Sequence, residues 1–260
     1  MQDYLNVALI QSNLIWEDPI QNRVNFEQKI RSISGDVDLI VLPEMFSSGF
    51  TMNASAVAEG MDGDTVSWLT DMAKNTQAAI TGSLVIEDDG HYHNRLIFVY
   101  PDGTIKTYNK RHTFTLAGEH KVYKAGEEKL VLDYKGWKIC PLICYDLRFP
   151  VWARNIEDYD LLLYVANWPK VRIDAWDTLL KARAIENMSY CIGVNRVGLD
   201  GNNYEYPGHS AVYDVLGKRM DNIPLDKEAV EVVTLEERHI RHYRNKLGFL
   251  KDRDRFNLEV

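Results

Sequence analysis

An α/β fold is predicted for this chain of 260 residues, on three observations. Apolar runs of strand length recur along the whole chain. Between several of them lie segments whose apolar residues return at helical spacing. Two runs, Leu39-Ile40-Val41-Leu42 and Leu161 to Ala166, lack polar alternation, the pattern of strands buried on both faces.

In order along the chain, Leu5 to Ile10 reads as the first strand. Pro19 to Ile33 is helical, with Ile20, Val24, Phe26, Ile30 and Ile33 near a common face. Val37 to Leu42 is a strand that leads through Pro43 to Glu44. Thr65 to Ala73 places Val66, Leu69, Met72 and Ala73 on one helical face. No helix separates Ala78 to Ile86 from Arg95 to Tyr100, which predicts a hairpin and a mixed sheet. His91 and His93 fall in its turn. Thr104 to Asn109 is strand-like and delivers Lys110, and Trp137 to Ile143 delivers Cys144. Leu161 to Ala166 ends at Asn167. Trp176 to Met188 is helical through Leu179, Leu180, Ala184 and Met188. Tyr190 to Val197, which contains Asn195, and Ser210 to Val215 are the last strands. From Glu236 onward Arg and Lys alternate with Tyr243, Leu247, Phe249, Leu250 and Phe256, read as a helix and tail packed on the domain or on a partner subunit. No repeat or Pro/Ser-rich linker divides the chain, so residues 1–260 are expected to form a single domain.

Composition removes several classes of function. The formal net charge is −8, which argues against non-specific nucleic-acid binding. No apolar run approaches the roughly 20 residues that span a bilayer. The residues Met1-Gln2-Asp3-Tyr4 show no basic start before an apolar stretch, so a signal peptide is not expected. Three cysteines, Cys140, Cys144 and Cys191, are too few and scattered for a disulfide framework, which fits a reducing cytoplasmic setting. His91 and His93 lack the spacing of a zinc site, and no metal or organic cofactor is expected.

The chemistry lies at strand ends. Ligands of open α/β sheets bind outside the carboxyl ends of strands, so Glu44, Cys144, Asn167 and Asn195 converge on one cleft if their strands are parallel neighbours. Cys144 stands at a strand-to-turn junction, followed by Tyr145-Asp146-Leu147-Arg148-Phe149-Pro150, where backbone N–H groups lie close to a nucleophile. An arbitrary cysteine is usually a buried packing residue, and Cys140 and Cys191 are read that way. Glu44 is followed by Met45-Phe46-Ser47-Ser48-Gly49-Phe50, aromatic surroundings that raise a carboxyl pKa towards that of a general base. Lys110, aimed inward, stabilises an oxyanion or depresses the thiol pKa. Glu119 is a second acidic candidate, with a loop carboxylate as its plain alternative.

Three stretches, LPEMFSSGF (42–50), YNKRHTF (108–114) and PLICYDLRFP (141–150), resemble the catalytic signatures of the nitrilase, or carbon–nitrogen hydrolase, superfamily. The resemblance covers essentially the whole chain. It implies a four-layer α-β-β-α sandwich that assembles as a homodimer or larger homo-oligomer. It also implies a Glu–Lys–Cys triad on Glu44, Lys110 and Cys144, an additional glutamate on Glu119, and an oxyanion contact from the backbone N–H of Tyr145. Within the superfamily, YDLRFPVWARN (145–155), DYDLLLYVANWP (158–169) and ARAIEN (182–187) resemble its bacterial omega-amidases. Those enzymes remove the terminal amide of 2-oxoglutaramate or 2-oxosuccinamate, small molecules whose far carboxylate calls for a cation. Arg172 is the candidate, with a surface helix flank as its equal alternative, and Phe50 and Trp168 are candidate apolar walls. Arg148 is expected to support the site through a salt bridge without touching substrate. Hydrolysis of N-carbamoyl compounds or aliphatic amides, and a catalytically silent binding role, are the competing expectations.

Overall fold

The first strand, β1 (Tyr4–Gln11), shows why the apolar runs do not alternate. Its Val7 and Leu9 point into a core shared with a second sheet, while Ala8 and Ile10 join a different core beneath helices. Both faces are buried, so both faces are apolar. The computed structural model describes residues 2–259. After β1 come α1 (Pro19–Arg31), β2 (Leu39–Val41), α2 (Ala54–Val57), α3 (Asp64–Thr76), β3 (Ala79–Asp88), β4 (His91–Val99) and β5 (Ile105–Asn109). The next elements are β6 (Leu132–Tyr134), β7 (Trp137–Ile143), α4 (Pro150–Ala153), β8 (Leu161–Ala166), α5 (Ile173–Asn187) and β9 (Tyr190–Asn195). The chain continues through β10 (Val197–Leu199), β11 (Glu205–Pro207), β12 (Ala211–Tyr213), β13 (Ala229–Glu236) and α6 (Glu237–Leu247).

Two mixed sheets result. One has the order β13-β1-β2-β3-β4-β5, with β1, β2 and β3 parallel and the other pairs antiparallel. The other has the order β12-β9-β8-β7-β6, with β7, β8 and β9 parallel. Strands β10 and β11 form a separate antiparallel pair. The sheets share one apolar core, in which Leu5, Leu39, Leu96 and Phe98 of the first sheet join Ile139, Ile143 and Leu163 of the second. On the outer face of the first sheet, Phe26 and Ile30 of α1 and Val66, Leu69 and Met72 of α3 close a second core. Trp176, Leu180 and Ala184 of α5 pack on the second sheet. The layers therefore run α-β-β-α.

Local signals start the helices where expected. Asp18 caps α1 by accepting from the Gln21 N–H at 3.0 Å, and Pro19 takes the first helical position. Helix α5 begins at Ile173, three residues before the predicted Trp176, and ends at Met188 in the left-handed region. The run from Tyr190 is broken at Arg196, because β9 ends at Asn195 and a new strand begins at Val197. His91 and His93 open β4 and do not sit in the turn. Helix α6 lies on the chain's own body: Ile240 enters the shared core, and Arg244 reaches Asp160 and the Met188 carbonyl at 2.8 Å each.

Candidate active site

Five strands deliver the polar residues. Glu44 follows β2 and Lys110 follows β5, whose carboxyl ends lie at the same edge of the first sheet. Cys144, Asn167 and Asn195 follow β7, β8 and β9, parallel neighbours in the second. Glu44, Cys144 and Asn167 come together, across two facing sheets and not one, whereas Asn195 does not line the cavity and instead accepts from the Trp168 N–H and donates to the Trp168 and Gly208 carbonyls. Glu44 is joined to the second sheet directly: its Oε2 accepts the Asn167 N–H at 2.8 Å, and its carbonyl accepts Asn167 Nδ2 at 2.6 Å.

Cys144 is the sharpest local feature. Its φ is +44°, a left-handed conformation that costs a non-glycine residue about 1–3 kcal/mol. A 3-10 turn, Cys144–Arg148, starts there, so the Tyr145 N–H lies among the first donors of a helical turn, which have no partner within it. Asp146 holds the turn in place. Its Oδ2 accepts from the Ile143 N–H at 3.0 Å and the Tyr108 hydroxyl at 2.8 Å, and its Oδ1 accepts from the His112 N–H at 3.0 Å. The His112 ring nitrogen Nδ1 lies 2.8 Å from the same Oδ1. The thiol itself lies 3.8 Å from the Asn167 carbonyl oxygen, within reach of weak S–H donation.

Behind the thiol stands a closed charged cluster. Lys110 Nζ donates to Glu44 Oε1 at 2.9 Å and to both Glu119 oxygens at 3.0 and 2.9 Å. Lys110 is 1% exposed, and Glu44 and Glu119 are 0% exposed. Asn94 Nδ2 donates to Glu44 Oε1 at 2.8 Å and to Glu119 Oε1 at 3.2 Å. Glu119 also accepts the Phe114 N–H. A carboxylate offers about four lone-pair positions. Lys110, Asn94 and the Asn167 N–H fill three on Glu44. The fourth, on Oε2, is left for a proton from elsewhere.

The electrostatics follow from burial. Burial disfavours a charged Lys110, but the Glu119 and Glu44 carboxylates outweigh it and hold the ammonium above its usual range. Burial, with Glu44 alongside and Lys110 opposing, raises the Glu119 carboxyl. For Cys144, burial pushes the thiol well above the ordinary range, and Glu44 pushes it further than Lys110 pulls it back. Lys110 pulls the thiol pKa down, as expected, but burial and the Glu44 carboxylate outweigh it and the net shift is upward.

The sulfur opens onto a cavity of about 640 Å3. Phe50, Trp168, Arg172 and Tyr145 all line it, as does Lys110 at its floor. The Lys110 ammonium sits 5.1 Å from the centre of the Phe50 ring. Arg172 stands just before α5, yet its guanidinium stacks 5.0 Å over Phe114 towards the cavity. Arg148 departs from expectation. Among the described residues it makes no salt bridge; it stacks 4.9 Å over Trp168 and lines the cavity itself. Cys140 and Cys191 are buried packing residues on the face of the second sheet that α5 covers. Among the described residues no cluster of three or more His, Cys, Asp or Glu side chains is placed to hold a metal, and no helix is long and apolar enough to cross a membrane.

Sequence reasoning passed over three contributors. Asn94 is a polar residue on the face of β4 that also carries Leu96 and Phe98, and a polar residue on an apolar face was its signal. Asp146 was legible only as part of a polar turn. Arg196 is fully buried and ties together both loops of the far wall. Its Nη2 donates to the Leu14 and Leu199 carbonyls at 3.1 and 2.8 Å, and its guanidinium lies 4.7 Å over Tyr206.

Comparison with known proteins agrees with this geometry. The sequence profile of the family described as Carbon-nitrogen hydrolase matches residues 6–245. The chain is 44% identical to the omega-amidase YafV of Escherichia coli over 254 residues, 98% of each protein. It is 33% identical to a 2-oxoglutaramate amidase of Bacillus subtilis, covering 82% of this chain and 83% of that one. Its fold superposes on XC1258 of Xanthomonas campestris, a CN-hydrolase superfamily protein with an arsenic adduct in its active site. That match has a TM-score of 0.96 and 43% identity, over 98% of this chain and 99% of the other. A strained cysteine, a buried lysine held between two glutamates and a profile that runs through all of them lead to one assignment: the chain belongs to the carbon–nitrogen hydrolase family.

Proposed function

We propose that the chain is an omega-amidase, hydrolysing the terminal amide of 2-oxoglutaramate or 2-oxosuccinamate to the 2-oxo dicarboxylate and ammonia. The observation that carries this reading is a thiol beside a buried carboxylate–lysine cluster in a cavity that also exposes two guanidiniums without carboxylate partners among the described residues. The 44% identity to an omega-amidase supports the substrate class.

In the mechanism, the free lone pair of Glu44 takes the Cys144 proton as sulfur attacks the amide carbon. The carbonyl oxygen becomes an oxyanion between the Lys110 ammonium and the Tyr145 N–H. The tetrahedral adduct collapses, the carbon–nitrogen bond breaks, and Glu44 returns its proton to the departing ammonia. A thioester remains. Water then loses a proton to Glu44 and attacks the thioester carbon. The thiolate leaves and recovers that proton, and the acid is released. Glu119 holds Lys110 charged and aimed. Arg172 and Arg148 receive the far carboxylate and the 2-oxo group, and Phe50 and Trp168 flank the chain between them. As a single domain, the protein is also read as a cytoplasmic homo-oligomer, which sedimentation of the purified chain checks.

The test compares kcat/KM for ammonia release across 2-oxoglutaramate, 2-oxosuccinamate, N-carbamoyl compounds and aliphatic amides. The 2-oxo acid amides are expected to lead by at least about tenfold. An N-carbamoyl or aliphatic substrate in first place overturns the assignment. Turnover retained by Cys144→Ala overturns the mechanism, and no turnover of any amide by the native chain leaves the silent binding role.

A further inference from the structure

We propose that Asn94 is a positioning residue for the general base: a neutral clip that keeps the two buried glutamates side by side and turns the free face of Glu44 towards the thiol. This rests on the Glu44–Cys144 chemistry proposed above and adds a residue that the three signature stretches do not contain.

Asn94 touches three of the four charged or reacting residues. Its amide nitrogen donates to Oε1 of Glu44 at 2.8 Å and to Oε1 of Glu119 at 3.2 Å. Its backbone carbonyl accepts the Lys110 N–H at 2.9 Å, which sets the chain from which the ammonium projects. The residue is 1% exposed, so no solvent substitutes for these contacts.

The orientation of the amide is forced. With nitrogen and oxygen exchanged, the Asn94 oxygen would face two carboxylate oxygens at hydrogen-bond distance and repel both. The observed orientation leaves Oδ1 buried without a partner. A side chain present only to satisfy a strand position would not leave an acceptor stranded in this way. The group is kept for its two N–H donors.

Two buried carboxylates share one lysine here, and burial together with the Glu44 charge raises the Glu119 carboxyl. A second cation would balance the charge but would also bind Glu44 too strongly for it to accept a proton. A carboxamide donates to both while carrying no charge. Because it occupies Oε1 together with Lys110, the lone pair left open is on Oε2, the oxygen already fixed by the Asn167 N–H. The carboxylate cannot rotate, and the base meets the sulfur at one defined oxygen.

The experiment measures kcat, KM and the pH profile of kcat/KM for Asn94→Ala and Asn94→Asp against the native chain. Hydrogen bonds to a charged acceptor predict a fall in kcat of about tenfold to a hundredfold for Asn94→Ala with KM within about twofold. Asn94 donates to the Glu44 carboxylate, so its removal is expected to move the acid limb of the profile to higher pH. Asn94→Asp adds a third carboxylate and moves that limb further than Asn94→Ala. Loss of activity with an unmoved acid limb in both variants, or a rise in KM alone, overturns the proposal. If neither variant folds, the native chain decides it. The Asn94 side-chain NH2 resonances are expected to shift with pH in step with the Glu44 and Glu119 carboxyl carbons, and resonances that stay fixed through that titration overturn it. The resonance measurement needs no substrate, so its result is separate from that of the amide panel.

Discussion

Replacing Lys110 by methionine is the most searching perturbation of this site, because the lysine is both a structural counter-ion and an oxyanion donor in the reading above. Nζ makes three contacts of 2.9–3.0 Å to two carboxylates inside a protein interior that excludes water. Methionine fills similar volume and removes the charge. Breaking a buried ion pair from one side costs about 3–5 kcal/mol, because the remaining charge stays buried. Here two carboxylates remain, so at least one of them keeps a proton. The sign of the pH dependence follows. A glutamate with a folded pKa above its unfolded value near 4.5 contributes fully below that value and loses the contribution as pH rises. Each retained proton makes stability fall by about 1.4 kcal/mol per pH unit over that window. The variant is therefore expected to be nearer to native stability at pH 5 than at pH 7, by about 3 kcal/mol, in urea unfolding followed by fluorescence. Ammonia release should fall by at least about a hundredfold at every pH. An equal stability loss at pH 5 and pH 7, or a loss below about 1 kcal/mol, refutes the account of the cluster as two carboxylates held charged by one lysine.

Other predictions follow from the same geometry. Asp146→Asn replaces acceptors of four donors by a group that accepts on one atom only; a loss of about 2–4 kcal/mol in urea unfolding and a fall in kcat are expected, and native stability would remove its role in holding the nucleophile turn. Arg172→Gln and Arg148→Gln should each raise KM for 2-oxoglutaramate by about tenfold or more, with a smaller effect on simple aliphatic amides; equal effects on both substrate classes would place the guanidiniums away from the substrate. The raised thiol pKa predicts that native protein minus Cys144→Ala shows no ultraviolet thiolate absorbance at neutral pH, and a thiolate signal there would replace general-base attack by a preformed ion pair.

What the sequence disclosed and withheld has a physical pattern. Strands β1, β2, β7, β8 and β9 bury both faces, so their apolar runs are continuous and easy to find. Strand β13 is an edge strand whose residues are mostly half-exposed, and its alternation of Val with Glu and Thr resembles surface loop. The short strands β6, β10 and β11 exist through their pairing partners, which local sequence does not name. The site divides in the same way. Lys110 and Cys144 stand directly after β5 and β7, and Glu44 stands three residues after β2, so each is found at the end of a strand-like run. Asn94 lies inside a strand, and only the pairing of β4 with β3 and β5 carries it to the glutamates.

That two sheets, and not one, bring the site together has a further consequence. Glu44 and Lys110 belong to one sheet and Cys144 to the other, so the distance between base and nucleophile is set by sheet packing. The Glu44–Asn167 pair of hydrogen bonds and the bonds of Tyr108 and His112 to Asp146 cross between the two sheets at the site itself. The core between the sheets is consequently part of the catalytic geometry: Leu39 and Val41 of β2 and Ile143 of β7, with Leu163 of β8, are buried in it on the strands that lead to the site. Loosening that core moves the acid cluster and the thiol apart without touching either. Leu163→Ala, which costs about 2–5 kcal/mol as a buried truncation, should therefore lower kcat more than an equally destabilising truncation in the helix-side core, such as Leu69→Ala. Equal kcat values for two variants of equal stability, measured well below their melting temperatures, would show that the spacing is held by the hydrogen bonds of Asn167 and Asp146 and not by the core.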